Sequence, residues 1–428
     1  MKDTKDYNEK KEELFYDYPD RPVPTDKRRS QINIAVVTTG MAIAMSTLYT
    51  GASLAQMLNY KDAVLAIIIG SVILGIVAAL TGGIGASKGV SFSMLARQPF
   101  GREGSKIVGV VFAISMLGWF SYQTGYFGET IHILVPNAGW ANPKIATLWG
   151  GMLMMSTAIV GYKGMAALSM VASPLLLIMC LYSGIDAINQ FGYNTIVQAN
   201  ISNPASLGVG ITIVIGGWIT GAILQPDISR YAKSASHNAI SVFFAMIVFV
   251  VANWGGLVIA KATLATTIMD GLIILGLGST ALLVVILGQW TSNDNNLYSA
   301  ALGIINVKPG TNKHKITAIC GIVFTLIAIM GIQNYFVNFL VLLGTFLPPF
   351  GAVLIADYYI LKQGEKYRFD DAAIYEKIKP IAFISVVVGG VSSYIISFGS
   401  KAINSILITI VVYTVLSIIM KKRSIPNN

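Results

Sequence analysis

Runs of about 20 apolar residues, the length of helix that crosses a bilayer, recur about twelve times along this chain and leave only short charged stretches between them. Backbone polar groups in hydrocarbon need internal partners, and segments of this length supply them as helices. Of 428 residues, 54% are hydrophobic and 12% charged, with a mean hydropathy of +0.66. Soluble domains carry about twice that share of charge. The chain therefore reads as all-α and integral to a membrane, with about 12 transmembrane helices and no room for a second soluble domain.

We place the spans near 34–58, 62–85, 105–134, 144–161, 165–188, 206–226, 238–260, 271–302, 315–332, 335–359, 380–398 and 402–420. The net charge of +10 sits at span ends, which argues for a membrane rather than nucleic acid as partner. With the N-terminus inside, 26 of the 30 Lys and Arg residues fall on one side, and only Lys61, Lys144, Lys261 and Lys401 on the other. The positive-inside rule then sets both termini in the cytoplasm of a multi-pass cell (plasma) membrane protein. Residues 1–30 read as a solvated cytoplasmic tail rather than a signal peptide, 31–420 as the transmembrane domain, and 421–428 as a second cytoplasmic tail. The 86–104 loop is half apolar, which fits a re-entrant or surface-lying segment as well as an ordinary loop.

Within the eighth span the apolar run gives way to Gln289-Trp290-Thr291-Ser292-Asn293-Asp294-Asn295-Asn296. Amides and hydroxyls are costly in lipid unless something binds them, so such a run faces a cavity, an ion or a substrate. On a helix, Gly288, Thr291 and Ser292 share a face that offers two hydroxyls and a carbonyl, a set suited to a hard cation such as Na⁺. Gln289, Asn293 and Asn296 share a neighbouring face whose amides both donate and accept, which suits a neutral polar heterocycle. The plainer alternative is that Thr and Ser bond back to the preceding turn and the amides tie helices together.

Other spans add matching pieces. Trp119 and Gln123 stand one turn apart in the third span, an indole plane beside an amide. Gly216-Gly217-Trp218-Ile219-Thr220 places a second indole and a hydroxyl in the sixth. Two Trp residues can sandwich a flat ring. Glycines cluster in the first span (Gly40, Gly51) and the sixth (Gly208, Gly210, Gly216, Gly217, Gly221), five spans apart. Paired helix breaks of this kind mark inverted-repeat transporters, although glycine also serves close packing. Asp227, Asp294 and Asp357 are expected toward cytoplasmic span ends, with Asp227 pairing to Arg230. No carboxylate is expected at midspan, which favours Na⁺ over H⁺. Cys180 and Cys320 lie in apolar stretches and read as core residues. The three histidines sit at span ends, and metalloprotease and phosphate-loop motifs are missing, so neither an enzyme nor an ATP-driven pump is indicated.

These residues, in order, resemble the nucleobase–cation symporter family, and most of all its bacterial cytosine permease branch. The resemblance covers most of the chain. It rests on Thr50-Gly51, on Leu95-Ala96-Arg97 with Phe100-Gly101, and on Gly118-Trp119-Phe120. Pro226-Asp227 with Ser229-Arg230-Tyr231, the Trp290-to-Asn295 run with Leu297-Tyr298, and Pro348-Pro349 with Ile355-Ala356-Asp357-Tyr358 complete it. It implies a LeuT-type five-plus-five inverted repeat, about 34–188 and 206–359, plus two C-terminal helices at about 380–420. It also implies a Na⁺ site formed by the backbone carbonyls of Gly40, Ile43 and Gly288 with the hydroxyls of Thr291 and Ser292. Substrate stacking falls on Trp119 and Trp218. The sequence departs from that branch where Trp218 replaces Phe, where Gly217 and Thr220 replace serines, and where Gln123 and Gln289 add amides.

The resulting expectation is a secondary active importer of a nucleobase or related heterocycle, of the cytosine or purine class, coupled to Na⁺ and working by alternating access. Trp119 and Trp218 grip the ring; Gln123, Gly217, Thr220, Gln289 and Asn293 read it; Pro348-Pro349 provide a flexible point. No obligatory protein partner is indicated. The alternative is a proton-coupled carrier of hydantoin, allantoin or a hydroxymethylpyrimidine-type thiamine precursor on the same fold. An amino-acid carrier and a passive channel or sensor are further rivals.

Overall fold

The computed structural model describes Tyr18 and residues 21–160, 162–265, 267–307, 311–370 and 374–423. Among these the secondary structure is helical, the one β-type pairing being a single bridge between Arg29 and Ala232. The long helices are α1 (Gln31–Ala42), α2 (Met45–Met57), α3 (Tyr60–Lys88), α4 (Arg102–Leu134), α5 (Pro143–Val160), α6 (Tyr162–Phe191) and α7 (Leu207–Ile223). They continue as α8 (Ala235–Thr263), α9 (Gly278–Val307), α10 (Lys313–Ile329), α11 (Phe336–Phe346), α12 (Pro348–Ile355), α13 (Pro380–Ile395) and α14 (Lys401–Arg423). With α1/α2 and α11/α12 each counted as one interrupted span, about twelve rods result. Seven stretches are long and apolar enough to cross a bilayer unaided, and α1 with α2 does so as a bent pair.

Packing repeats with an offset of five spans. The sixth span (α7) packs on the second (α3) as the first (α2) packs on the seventh (α8), while second meets seventh, third meets eighth and fourth meets ninth. That exchange is the mark of two related halves, and α13 with α14 lies outside it as an added pair.

The helix breaks are not where the glycines suggested. The first span bends by 47° at Ile43–Ala44, both extended. Gly40 remains inside α1, and Gly51 lets α2 close onto the Asn253 backbone of α8. The sixth span runs unbroken from Leu207 to Ile223, so the expected break beside Trp218 is absent; the chain turns only at Leu224–Gln225. Its glycines serve packing: Gly216 sits on the Leu340 backbone of α11, and Gly210 on Leu58 and Ala66. Between membrane helices, where no hydrophobic force distinguishes protein from lipid, small residues permit this close approach. Pro348-Pro349 do interrupt the tenth span, but Leu347 between α11 and α12 keeps helical angles.

Three expectations for the segments predicted on the cytoplasmic side are also refined. The 86–104 loop forms two one-turn helices, Phe92–Leu95 and Arg97–Phe100, whose apolar side chains are buried. Gly101, with φ +86, follows them, and a Cβ there would meet the backbone of Glu376, Lys377 and Ile378. Asp227 does not form the expected ion pair. Its Oδ1 accepts the Phe92 N–H at 2.8 Å, while Arg230 donates to the Asp227 backbone carbonyl. Nor is the described end of the N-terminal segment freely solvated. Val23 is buried and its N–H donates to the Gly89 carbonyl, and Arg28 donates to the Ala86 carbonyl at 2.8 Å. Most of the tail, 1–17 with 19 and 20, lies outside the described residues.

Candidate substrate and cation site

The site is built where α4, α7 and α9 meet the break between α1 and α2. Trp119 and Trp218 are both buried. The Trp119 ring meets Phe339 edge-on, centroids 5.2 Å apart at 78°, and Phe336 at 6.1 Å. The Trp218 Nε1 donates to the Met41 carbonyl at 3.1 Å, and its ring lies 6.3 Å from Phe249. One turn before Trp119, the Ser115 hydroxyl lies 3.1 Å from that of Thr220, pinning α4 to α7 close to both indoles. Thr220 is thus already engaged. A Cβ at Gly217 would make only ordinary contact, the nearest atom being Thr50 Oγ1 at 3.4 Å.

The eighth-span residues part company. On α9, the Ser292 hydroxyl lies 2.6 Å from the Gly288 carbonyl and 2.7 Å from Gln123 Oε1. The Thr291 hydroxyl donates to the same Gly288 carbonyl at 3.2 Å. Gly288, Thr291, Ser292 and Gln123 therefore form one group. Gln289 turns elsewhere: its Nε2 donates to the Tyr49 hydroxyl at 3.3 Å, and its Oε1 is buried without a partner. Asn293 ties helices together, its Nδ2 donating to the Phe120 carbonyl (3.0 Å) and Thr124 Oγ1 (2.8 Å) on α4 and to Met154 Sδ (3.1 Å) on α5. A helix of 100° per residue puts Gln289 and Asn293 on a common side, but their partners on different helices draw the amides apart.

At the break in the first span the last carbonyls of α1 lose their helical donors. Thr39 O accepts from the Ile43 N–H, Met41 O from Trp218 and Ala42 O from the Thr47 hydroxyl. Among the described residues no group donates to the carbonyls of Gly40 and Ile43. These are the two first-span oxygens expected to hold a cation. Back-bonding within α9 explains the Ser292–Gly288 contact by itself, but leaves this pair of open carbonyls unexplained. Hydrogen bonds among the described residues do not join Gly40 or Ile43 to the Gly288 group. Each group offers only oxygens, two uncapped carbonyls in the first span and a carbonyl with two hydroxyls in α9, a chemistry suited to an alkali cation.

Asp294 overturns one expectation. It stands near the middle of α9, two residues beyond Ser292, fully buried, with neither carboxylate oxygen hydrogen-bonded among the described residues. A carboxylate is therefore present at midspan, and the argument for Na⁺ from its absence fails.

Residues beyond those expected complete the surroundings. Tyr49 stacks on Tyr126, and Phe336 meets both edge-on. Tyr122 stacks on Phe339 at 4.5 Å. Gln333 donates to Glu129 Oε1 at 2.9 Å and accepts from the Tyr126 hydroxyl. The spacing of Trp119, Tyr122 and Tyr126 by three and four residues was a visible sign of one aromatic face.

A twelve-span bundle with offset-five packing, an interrupted first span and a buried polar group beside it defines a multi-pass membrane transporter. The chain belongs to the family described as permease for cytosine/purines, uracil, thiamine, allantoin, whose pattern residues 22–419 match. It is similar to the cytosine permease of Escherichia coli (strain K12), 29% identical over 408 residues, covering 94% of each chain. It is also similar to the purine-uracil permease NCS1 of Arabidopsis thaliana, 26% identical over 88% of this chain and 70% of that one. In fold it matches Mhp1, a nucleobase-cation-symport-1 family transporter, at 18% and 19% identity in two of its conformations. The inward-facing conformation superposes with a TM-score of 0.82 over 94% of both chains. The closed conformation with bromovinylhydantoin bound gives 0.81, covering 95% of this chain and 96% of that one.

Proposed function

We propose that this protein is a Na⁺-coupled importer of a flat, uncharged nucleobase-type heterocycle, working by alternating access in the plasma membrane with both termini cytoplasmic. The observation that carries it is the pair of uncapped carbonyls, Gly40 and Ile43, at the break in the first span; the Gly288–Thr291–Ser292 oxygens, one hydrogen bond from Gln123, are the further ligands proposed. In this reading the cation ties the break between α1 and α2 to α9 by taking the open Gly40 and Ile43 carbonyls and the Gly288, Thr291 and Ser292 oxygens as its ligands. Trp119 and Trp218 offer the ring its stacking faces, and Gln123 and the backbone at Gly217 offer polar contacts to its edge. Asn293 holds α4, α5 and α9 in register. Cytosine, uracil and purine relatives support the class of substrate. Trp218, Gly217 and Thr220 set this chain apart from the cytosine permease pattern and leave the choice of ring to experiment. A thermal-shift screen of purified protein tests both halves, with cytosine, uracil, purines, hydantoins, allantoin and a hydroxymethylpyrimidine each in NaCl and in choline chloride. A ligand that binds only the folded state raises Tm. Ring-dependent stabilisation that requires Na⁺ is expected; the absence of any in NaCl overturns the reading.

Asp294 favours a second reading, proton coupling of the same transport, because a buried carboxylate whose oxygens accept no hydrogen bond among the described residues is a proton-binding group of the kind carriers use. Uptake that is indifferent to Na⁺ and collapses with a protonophore would select it.

A further inference from the structure

We propose that the Ser292 hydroxyl couples cation binding to substrate binding by deciding which end of the Gln123 amide faces the ring. The inference rests on the cation site proposed above. A serine hydroxyl has one proton to give and two lone pairs with which to accept. Two acceptors compete for that proton at nearly equal distance, the Gly288 carbonyl at 2.6 Å and Gln123 Oε1 at 2.7 Å. The proton serves one of them at a time.

A cation changes the competition. The Gly288 carbonyl and Ser292 Oγ are both among its ligands, so each turns lone pairs toward it and the hydroxyl proton is driven to the far side. The acceptor left there is Gln123 Oε1. With that oxygen engaged, Gln123 presents its Nε2–H to the site as a donor. Without the cation, Ser292 gives its proton to Gly288, and its free lone pair accepts from Gln123. The amide then turns half a revolution about its last bond and shows its oxygen instead. The two ends of a glutamine amide have the same shape, so the turn disturbs no packing; it reverses only the polarity offered to the ligand.

The consequence is a cation-gated choice of ring edge. The loaded carrier favours a ring with an acceptor, a carbonyl or an unprotonated ring nitrogen, beside Trp119, which stands one turn from Gln123. The empty carrier disfavours that ring. Coupling is reciprocal by linkage, so the ring raises cation affinity by the same factor, in the usual range of about five- to 150-fold.

Protein labelled with ¹⁵N in its glutamine side chains tests this without a substrate, the Gln123 signal being assigned by its loss in Gln123→Met. Added NaCl, against choline chloride, should shift the Gln123 amide signals. Ser292→Ala should abolish the shift and Ser292→Thr, which keeps the hydroxyl, should restore it. A wild-type protein that NaCl stabilises in a thermal melt while the Gln123 signal stays in place overturns the relay alone. A wild-type protein that NaCl does not stabilise overturns the cation site, and the relay with it. In the folded carrier with cytosine as probe, Na⁺ should lower Kd about tenfold in the wild type and leave it unchanged in Gln123→Met. Retention of the wild-type Na⁺ effect in that variant overturns the proposal.

Discussion

Tyr49 of α2 lies flat against Tyr126 of α4, ring centroids 4.2 Å apart and only 12° from parallel. The pair joins the first span, which carries the proposed cation ligands Gly40 and Ile43, to the third span, which carries Trp119 and Gln123. Phe336, at the start of α11, closes over both rings. The contact is apolar stacking with a polar edge on each ring: the Tyr49 hydroxyl meets Gln289 and Thr130, and the Tyr126 hydroxyl donates to the Gln333 carbonyl.

The stacking and the hydroxyl are separable. Tyr126→Ala should destabilise the protein by about 3 kcal/mol, the range for truncating a buried aromatic. Tyr49→Phe, which keeps the stack and loses the hydroxyl, should cost about 1 kcal/mol. Denaturant unfolding in detergent compares them. Equal losses would mean that the hydrogen bonds, not the rings, hold α2 to α4.

Trp119→Ala should abolish uptake of the ring substrate while the purified protein still elutes as a folded species. Its indole plane is the stacking face on α4 in the proposed site. Radiolabelled uptake in cells or vesicles is the measurement, and undiminished uptake would remove stacking from the mechanism.

Adjacent glycines of α7 should behave oppositely. A methyl at Gly216 runs into the Leu340 backbone of α11, which cannot step aside, whereas one at Gly217 meets only the Thr50 and Phe249 side chains at ordinary distance. Gly216→Ala should cost about 2 kcal/mol or prevent folding. Gly217→Ser should fold normally and alter the ranking of rings in the thermal-shift screen. An unaltered ranking would place Gly217 outside the substrate site.

Asn293→Ala should lower stability by about 2 kcal/mol, since it removes the buried amide that donates to the Phe120 carbonyl and the Thr124 hydroxyl and so ties α9 to α4. The apparent affinity for substrate in the surviving protein should stay at the wild-type level. A large loss of affinity at unchanged melting temperature would return Asn293 to the ring-reading role that its sequence position suggested.

Asp294→Asn separates the two coupling ions. If Na⁺ is the driver, the substitution should leave uptake Na⁺-dependent and intact, because the amide fills the same space. Loss of uptake in the variant, where wild-type uptake is Na⁺-independent and collapses with a protonophore, would assign the carboxylate to proton transfer.

Much of the architecture was legible in the residues. Hydrocarbon imposes helices and a minimum span length, so the count of spans follows from composition, and the polar run from Gln289 to Asn296 could be recognised as something that must not face lipid. The likeness of Trp119, Trp218, Thr291 and Ser292 to a family pattern marked candidates for the site. What could not be read was the use made of each group. Gly51, Gly210 and Gly216 looked like helix breakers because glycine serves both flexibility and close approach, and only the neighbouring backbone distinguishes them. Gln289 and Asn293, four residues apart, looked like one binding face, yet Tyr49 takes the first and α4 takes the second.

The sequence by itself determined that this chain lives in a bilayer, in about twelve helices, with hydroxyls and amides gathered in the eighth span, because the cost of exposing polar groups to lipid is set residue by residue. The tertiary structure decided which of those polar groups remain free for a ligand. A hydroxyl or amide is spent as soon as a neighbour accepts its proton, and whether Asn293, Thr220, Ser292 or the Gly40 carbonyl has such a neighbour depends on helices distant in sequence that meet only in the folded bundle.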